Sequence, residues 1–262
     1  MHFTYRLRVA VIAAVAVFCG AERAQSQPVA FQNATATFSQ TYVGDWSPAK
    51  AINGTEADAL GWAVGYDAFG PVNFNGIADP ATAVFETVNN LDAIGSAIQF
   101  ELRFNFTAPA FHTLGRFRIS VTSDDRSTFA DGLSTGGDVI ANWTPLSPYS
   151  LTTSSGAAIS KLGDNSVLVG GLNPETDVYR VYANLPISGV TGVRLEALAD
   201  VSLPWDGPGR QPLNGNFVLT EITAQLVPET GDIAPAFGVF LMVAAAICRK
   251  AKKHSASAKG SV

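Results

Sequence analysis

Cysteine is nearly absent from this chain. Its 262 residues carry two, Cys19 and Cys248, each inside an apolar run near one end. The 206 residues from Gln27 to Asp232 have none, which excludes disulfides, thiol catalysis and cysteine-ligated metals from that body. Histidine is as scarce. Of three, only His112 lies between Gln27 and Asp232, so a multi-histidine metal site is excluded there too. Positive charge is thin: the same span holds nine Lys and Arg against 21 Asp and Glu, a net of −12. An acidic body without a basic patch argues against nucleic acid as a partner. Long helical periodicity is missing as well, and with it the crossover helices that a parallel α/β sheet needs. A body of this length can still bury a core without staples.

What the middle of the chain has is alternation. Ile98 to Phe106 alternates apolar and polar over nine residues, the pattern of a half-buried strand. Phe117, Ile119 and Val121 alternate with Arg116, Arg118, Ser120 and Thr122 in the same way. Ala83–Val88, Val178–Tyr182, Val193–Ala197 and Phe217–Ile222 are further strand-like runs. Turn signals separate them: Asn53-Gly54, Gly136-Gly137, Gly170-Gly171, Asn173-Pro174 and Asn214-Gly215. Many short strands at this spacing predict an all-β fold, an antiparallel β-sandwich or jelly roll. A polar stretch over 126–142 reads as a linker between a first module, Gln27–Asp125, and a second, Trp143–Val227. Each half is small for a jelly roll of about eight strands. Two small sandwiches and one composite sandwich therefore both stand.

The ends differ from the middle. Arg6 and Arg8, an 11-residue apolar run from Val9 to Cys19, and the small residues Ala24 and Ser26 follow one another in the order of a secretory signal peptide. A signal helix over 1–26, cleaved after Ser26, and export of the rest are the expectation. At the other end Ile233 to Cys248 gives 16 residues without a charge, followed at once by Arg249, Lys250, Lys252 and Lys253. That hydrophobic helix is shorter than the ~20 residues of a relaxed span. The basic cluster would hold its far end in the cytoplasm. Residues 254–262 read as a disordered tail.

Two resemblances sharpen this. Ala34 to Gln40 (A-x-A-x-F-S-Q), Ala51 to Gly54, Gly61-Trp62, Ala83 to Glu86 and His112 to Thr122 together resemble the opening of discoidin-like (factor V/VIII type C) modules of the galactose-binding-like fold. Such modules are embedded in large exported bacterial proteins that carry cytochrome-type domains. Thr191–Asp200, Gly207–Arg210 and Asn214–Ile222 resemble a companion segment of the same proteins. No haem-binding C-x-x-C-H occurs in this chain, so the electron-transfer part is absent. The second resemblance is at the C-terminus. Val227-Pro228-Glu229 looks like the start of the V-P-E-P motif of PEP-CTERM sorting tags, with Thr230 where the second proline stands. Through Gly231 it equally resembles the sortase motif L-P-x-T-G. Motif, short span and basic cluster together imply a tag read by an exosortase- or sortase-type enzyme. A permanent single-pass membrane anchor is the other reading.

The first resemblance implies binding of a cell-surface glycan or matrix through loops at one end of the sandwich, and not catalysis. The residues offer two such loops. Trp62, Tyr66 and Phe69 lie in a glycine-rich stretch where aromatic rings can stack on sugar faces and Asp67, Asn73 and Asn75 can bond hydroxyls. For Trp62 the plainer reading is a core anchor opening a strand. The second loop holds Trp205, Asp206 and Arg210. There the plain reading is a tight turn in which Arg210 pairs with a carboxylate. A catalytic triad would have to use His112, which stands where a strand begins. Asp124, Asp125, Asp131 and Asp138 crowd one loop and could supply oxygens to a structural calcium, the one cofactor the residues suggest. A structural envelope or matrix component without a ligand, and a hydrolase working through carboxylates, are the alternatives to a binding module.

Overall fold

The computed structural model describes residues 25–41, 44–55, 59–65, 81–108 and 110–228, and the backbone of 66–67 and 70–71. The expected signal helix up to residue 24 and the C-terminal hydrophobic helix lie outside the described residues, as do Glu229, Thr230 and Gly231 of the sorting motif. Among the described residues no helix is long and apolar enough to cross a membrane.

The strands in chain order are β1 Gln27–Val29, β2 Phe31–Ala36, β3 Trp62–Val64, β4 Tyr66–Asp67, β5 Gly70–Pro71, β6 Ala81–Leu91, β7 Ala97–Phe104 and β8 Arg116–Thr122. They continue with β9 Thr144–Pro145, β10 Ser150–Thr153, β11 Ala158–Lys161, β12 Val167–Gly170, β13 Asp177–Asn184, β14 Val190–Ala197, β15 Phe217–Leu219 and β16 Glu221–Val227. One sheet has the order β1-β16-β7-β13-β10 and the other β11-β12-β8-β14-β6-β2, with β9 also on β8. The pairings between them are antiparallel throughout. The fold is all-β, as the alternation predicts.

The alternation sets the layers. Every second side chain of β7, namely Ile98, Phe100, Leu102 and Phe104, is buried. They form one apolar core with Phe85 of β6, Phe117, Ile119 and Val121 of β8, and Val193 and Leu195 of β14. Tyr179 of β13 joins the two sheets: its ring lies 4.7 Å from Phe104 in its own sheet and stacks at 6.2 Å on Phe117 of the other. A fully buried aromatic of this kind costs about 3–5 kcal/mol to delete.

Strands from the two halves of the sequence interleave. β7 lies between β16 and β13, and β14 lies between β8 and β6. The two modules are therefore one composite sandwich. The 126–142 segment, expected to be a linker, is folded onto it instead. Phe129 is fully buried where a Cβ on Gly192 of β14 would come within 2.5 Å of its ring. Trp143 stacks edge-on against Phe129 at 5.3 Å and carries the Arg194 guanidinium over its own ring at 5.3 Å. Polarity misled here because the segment meets its needs with turns and backbone bonds, such as Ala36 N–H to Leu133 O at 2.8 Å, and contributes few apolar anchors.

The register also orders the two ends of the sandwich. Ala97 pairs with both Asn184 and Val227, and Gln27 with Leu226, so the chain meets β1 and leaves β16 at one end. Phe104 pairs with Asp177 at the other. The connections 105–115, 171–176 and 198–216 all gather at that second end.

Candidate functional site

The connection from β14 to β15 does most to shape this end. Pro204 and Pro208 cannot serve as strand donors, and between them Trp205 and Asp206 take left-handed conformations, with φ of 58° and 52°. Two successive non-glycine residues in that region store strain that the rest of the loop must hold. It does so by backbone contact. Gly115 N–H donates to Pro208 O at 2.6 Å, and Arg210 N–H to Thr113 O at 2.8 Å. Gly215 turns at φ +65°, where a Cβ would lie 2.3 Å from Pro204 O. Only glycine fits that approach.

This brings Arg210 against the 171–176 connection. Arg210 is 4% exposed, and its Nη2 donates to the carbonyls of Gly171 at 3.0 Å and Leu172 at 2.8 Å. The side-chain amide of Asn173 donates back to the Arg210 carbonyl at 2.9 Å. Two polar atoms in this exchange stay unbonded: Nη1 of Arg210 and Oδ1 of Asn173. The ion pairs of the described residues use Arg103, Arg116, Arg118, Arg126, Arg180 and Arg194, and Arg210 takes part in none of them. The expected carboxylate partner is replaced by backbone carbonyls.

Both residues line a cleft of about 470 Å³, together with Ser160, Leu168, Gly171 and Pro204. That volume is in the range of small-molecule sites, about 300–1,000 Å³, and the lining is largely apolar with a few convergent polar groups. Trp205, next to the lining residue Pro204, is 61% exposed. Other exposed apolar side chains stand on the same connections: Leu172, Val201, Leu213 and Phe111.

Charge around the cleft is fixed by Arg116 at the start of β8. It bonds Asp164 at 2.9 Å, Asp200 at 3.3 Å and the Ser166 hydroxyl at 3.2 Å. This ties the β11–β12 turn to the loop after β14. The Ser166 hydroxyl and N–H, with Arg116 beside them, hold the Asp164 carboxyl down at about 2. At Asp200 burial pushes the pKa up, but the Ser202 hydroxyl and N–H and Arg116 outweigh it and hold the carboxyl below its ordinary value. Beneath, the Tyr179 hydroxyl donates to Leu114 O at 3.0 Å; burial pushes it up to about 12, against the pull of Thr113 and the Arg210 guanidinium.

Of the residues marked from sequence, Trp62 does not face a ligand. It is fully buried, donates its indole N–H to Phe38 O at 3.0 Å and packs edge-on against Phe217 at 5.2 Å. It pairs with β15 as a core anchor, because a large indole gains more from burial than from display. The backbones of Tyr66 and Asp67 form β4, paired with β5; their side chains, with Phe69, Asn73 and Asn75, lie outside the described residues. Trp205, Asp206 and Arg210 share the loop at the cleft. Asn173 and the β11–β12 wall carry no site signal in the sequence beyond the Gly170-Gly171 and Asn173-Pro174 turns.

The four aspartates are not drawn into one site. Asp124 accepts from the backbone and side-chain amides of Asn142 at 2.7 and 2.8 Å, and Asp125 from Ser127 N–H at 2.9 Å. Asp131 accepts from the N–H groups of Leu133 and Asp138, both at 2.9 Å, and Asp138 from Ile140 N–H at 2.9 Å. The Ser127 bonds lower the Asp125 pKa, and the Asp138 and Leu133 N–H groups lower that of Asp131. Their oxygens serve local turns. Among the described residues no three His, Cys, Asp or Glu side chains gather closely enough to hold a metal.

His112 is buried just before β8, edge-on to Phe106 at 5.0 Å. Gly132-Leu133-Ser134-Thr135-Gly136 has the spacing of a nucleophile elbow, but it lies in turns of the 126–142 segment, without the strand-to-helix geometry that exposes such a serine.

No family model and no curated protein matches the chain. Among solved structures, the F5/8 type C domain of a Bacteroides fragilis protein is similar to it, with a TM-score of 0.38 and 12% identity over 77% of this chain and 98% of that one.

Proposed function

We propose that this chain is an exported, surface-displayed binding protein of the galactose-binding-like kind, taking carbohydrate in the cleft beside Arg210. The observation that carries this is a cleft of about 470 Å³ with Ser160, Asn173 and Arg210 in its lining, beside the exposed Trp205. A sugar carries hydroxyls for the polar part of such a lining. An exposed indole gives its ring an apolar face to stack on.

Display is supported by polarity. The chain leaves β16 at Val227, at the end opposite the cleft. A tether there turns the cleft outward. Val227-Pro228-Glu229-Thr230-Gly231 then serves as a sorting motif read by an exosortase- or sortase-type enzyme at the membrane. Intact mass of protein from native cells tests this. Loss of about the last thirty residues fits processing near Thr230; a full-length membrane-embedded chain means a permanent anchor.

A glycan array probed with the full-length chain tests binding. Retention on one saccharide series, lost in a Trp205→Gly variant, is expected. A folded protein that retains nothing returns the reading to a structural component of the envelope or matrix.

A further inference from the structure

We infer that the cleft takes an acetamido sugar, with the acetyl methyl against Gly170 and the amide between the hydroxyls of Ser160 and Ser202. This deepens the carbohydrate reading and rests on it. One wall of the cleft is the solvent side of the β11–β12 hairpin. Val167 and Val169 are buried in the core, so Leu168 and Gly170 stand on the outer face, with Ser160 and Ala158 opposite them in register. All four line the cleft. Gly170 leaves a gap in this wall, since a Cβ there would meet no atom within 4 Å. Its φ lies outside the left-handed region, so the backbone does not require glycine.

The lining offers no exposed charge. Among the lining residues Arg210 alone is ionisable, and it is buried with Nη2 bonded to the carbonyls of Gly171 and Leu172. Two exposed hydroxyls are open instead, Ser160 on the hairpin and Ser202 in the loop after β14. Ser202 donates its proton to Asp200 Oδ1 at 2.6 Å, which leaves its oxygen as an acceptor. The Ser160 hydroxyl is free to donate. An acetamido group carries an N–H and a C=O that point away from each other, and a methyl. The N–H suits Ser202 and the C=O suits Ser160, on the two elements that bound the cleft. The methyl suits the gap over Gly170, beside Ala158 and Leu168. A hexose hydroxyl in that gap would be desolvated against apolar atoms, which is costly without a partner.

The probes are sugar pairs that differ only in carrying an acetamido group or a hydroxyl at C2: triacetylchitotriose and cellotriose, and the methyl glycosides of N-acetylgalactosamine and galactose and of N-acetylmannosamine and mannose. Titration calorimetry with the full-length chain reads the affinities. The acetamido member of at least one pair is expected to bind about tenfold or more tighter, from a buried methyl and hydrogen bonds at both ends of the amide. Saturation-transfer NMR of that sugar should show the strongest transfer at the acetyl methyl protons. Gly170→Val fills the gap and should cut its affinity about tenfold or more, with the melting temperature at or above wild type, because a β-branched residue suits a strand. Ser160→Ala, at an exposed position, should cut it several-fold and keeps the test open should the valine disturb the hairpin. Equal binding within every pair, or binding on an array confined to saccharides without an acetamido group, overturns the assignment and leaves the carbohydrate reading in place. So do methyl protons without transfer, or both variants binding as tightly as wild type. Failure to bind these sugars and every saccharide on the array overturns both.

Discussion

The side-chain amide of Asn173 donates to the backbone carbonyl of Arg210 at 2.9 Å, while the Arg210 guanidinium reaches past it to the carbonyls of Gly171 and Leu172. Two loops far apart in sequence are thus locked to each other. Both residues also line the cleft beside that lock.

Arg210→Met keeps an unbranched apolar stem and removes the donors. Carbonyls lose their partners, at a cost of about 1–3 kcal/mol in stability. Urea denaturation should show the midpoint falling with an unchanged slope. Sugar binding should be lost at temperatures where the variant is fully folded. A variant as stable as wild type means that the guanidinium does not clamp the loops.

Trp62→Ala should behave in the opposite way. The indole is fully buried against Phe217, so its removal costs about 3–5 kcal/mol. That is a large share of the ~5–15 kcal/mol that holds a domain together. The melting temperature should drop sharply, while the affinity of the fraction that stays folded is unchanged. An affinity loss without a stability loss would return Trp62 to a binding surface.

Asp164 supplies the pH dependence. Its carboxyl lies at about 2 when folded, against 3.8 when free. A carboxyl lowered by folding contributes stability that is complete above its unfolded value and is lost as pH falls through its folded value. The contribution should therefore fade between pH 3.8 and about 2. The group is half exposed, so the effect is small and screened by salt. Asp164→Asn should flatten the stability profile in that window and leave the slope above pH 5 as it was; a profile identical to wild type would mean that the Ser166 and Arg116 bonds add nothing.

Much of this fold could be read in advance, because alternation is a local signal. Ile98–Phe104 needs only its own residues to declare an inward face, and it is the centre of its sheet. Phe217–Ile222 shows where local signals stop. It reads as one strand, but Thr220 breaks it: its N–H and hydroxyl both donate to Arg103 O at 2.9 Å. The chain then passes from β15, paired with β3, to β16, paired with β7. Tertiary bonds decide that break. The cleft was hidden for the same reason. Arg210 stood out as a loop cation, but its partners are carbonyls about forty residues away, and carbonyls leave no mark in a sequence. Asn173 looked like any turn residue. Trp62 and Trp205 are the same residue type in similar glycine-rich surroundings, and only pairing with β15 sends the first inward.

The most direct test of the account is a calorimetric titration of the full-length chain and its Trp205→Gly variant with whichever oligosaccharide the wild type retains. Trp205 holds a left-handed backbone that glycine adopts freely, so the replacement relieves strain and loosens the unfolded chain by similar amounts. Stability should stay within about 1 kcal/mol of wild type. Affinity should fall about tenfold or more, as truncating an aromatic anchor costs more than about 1 kcal/mol. A variant that is as stable as wild type and binds the sugar as tightly would contradict the placement of the site at the Arg210 cleft.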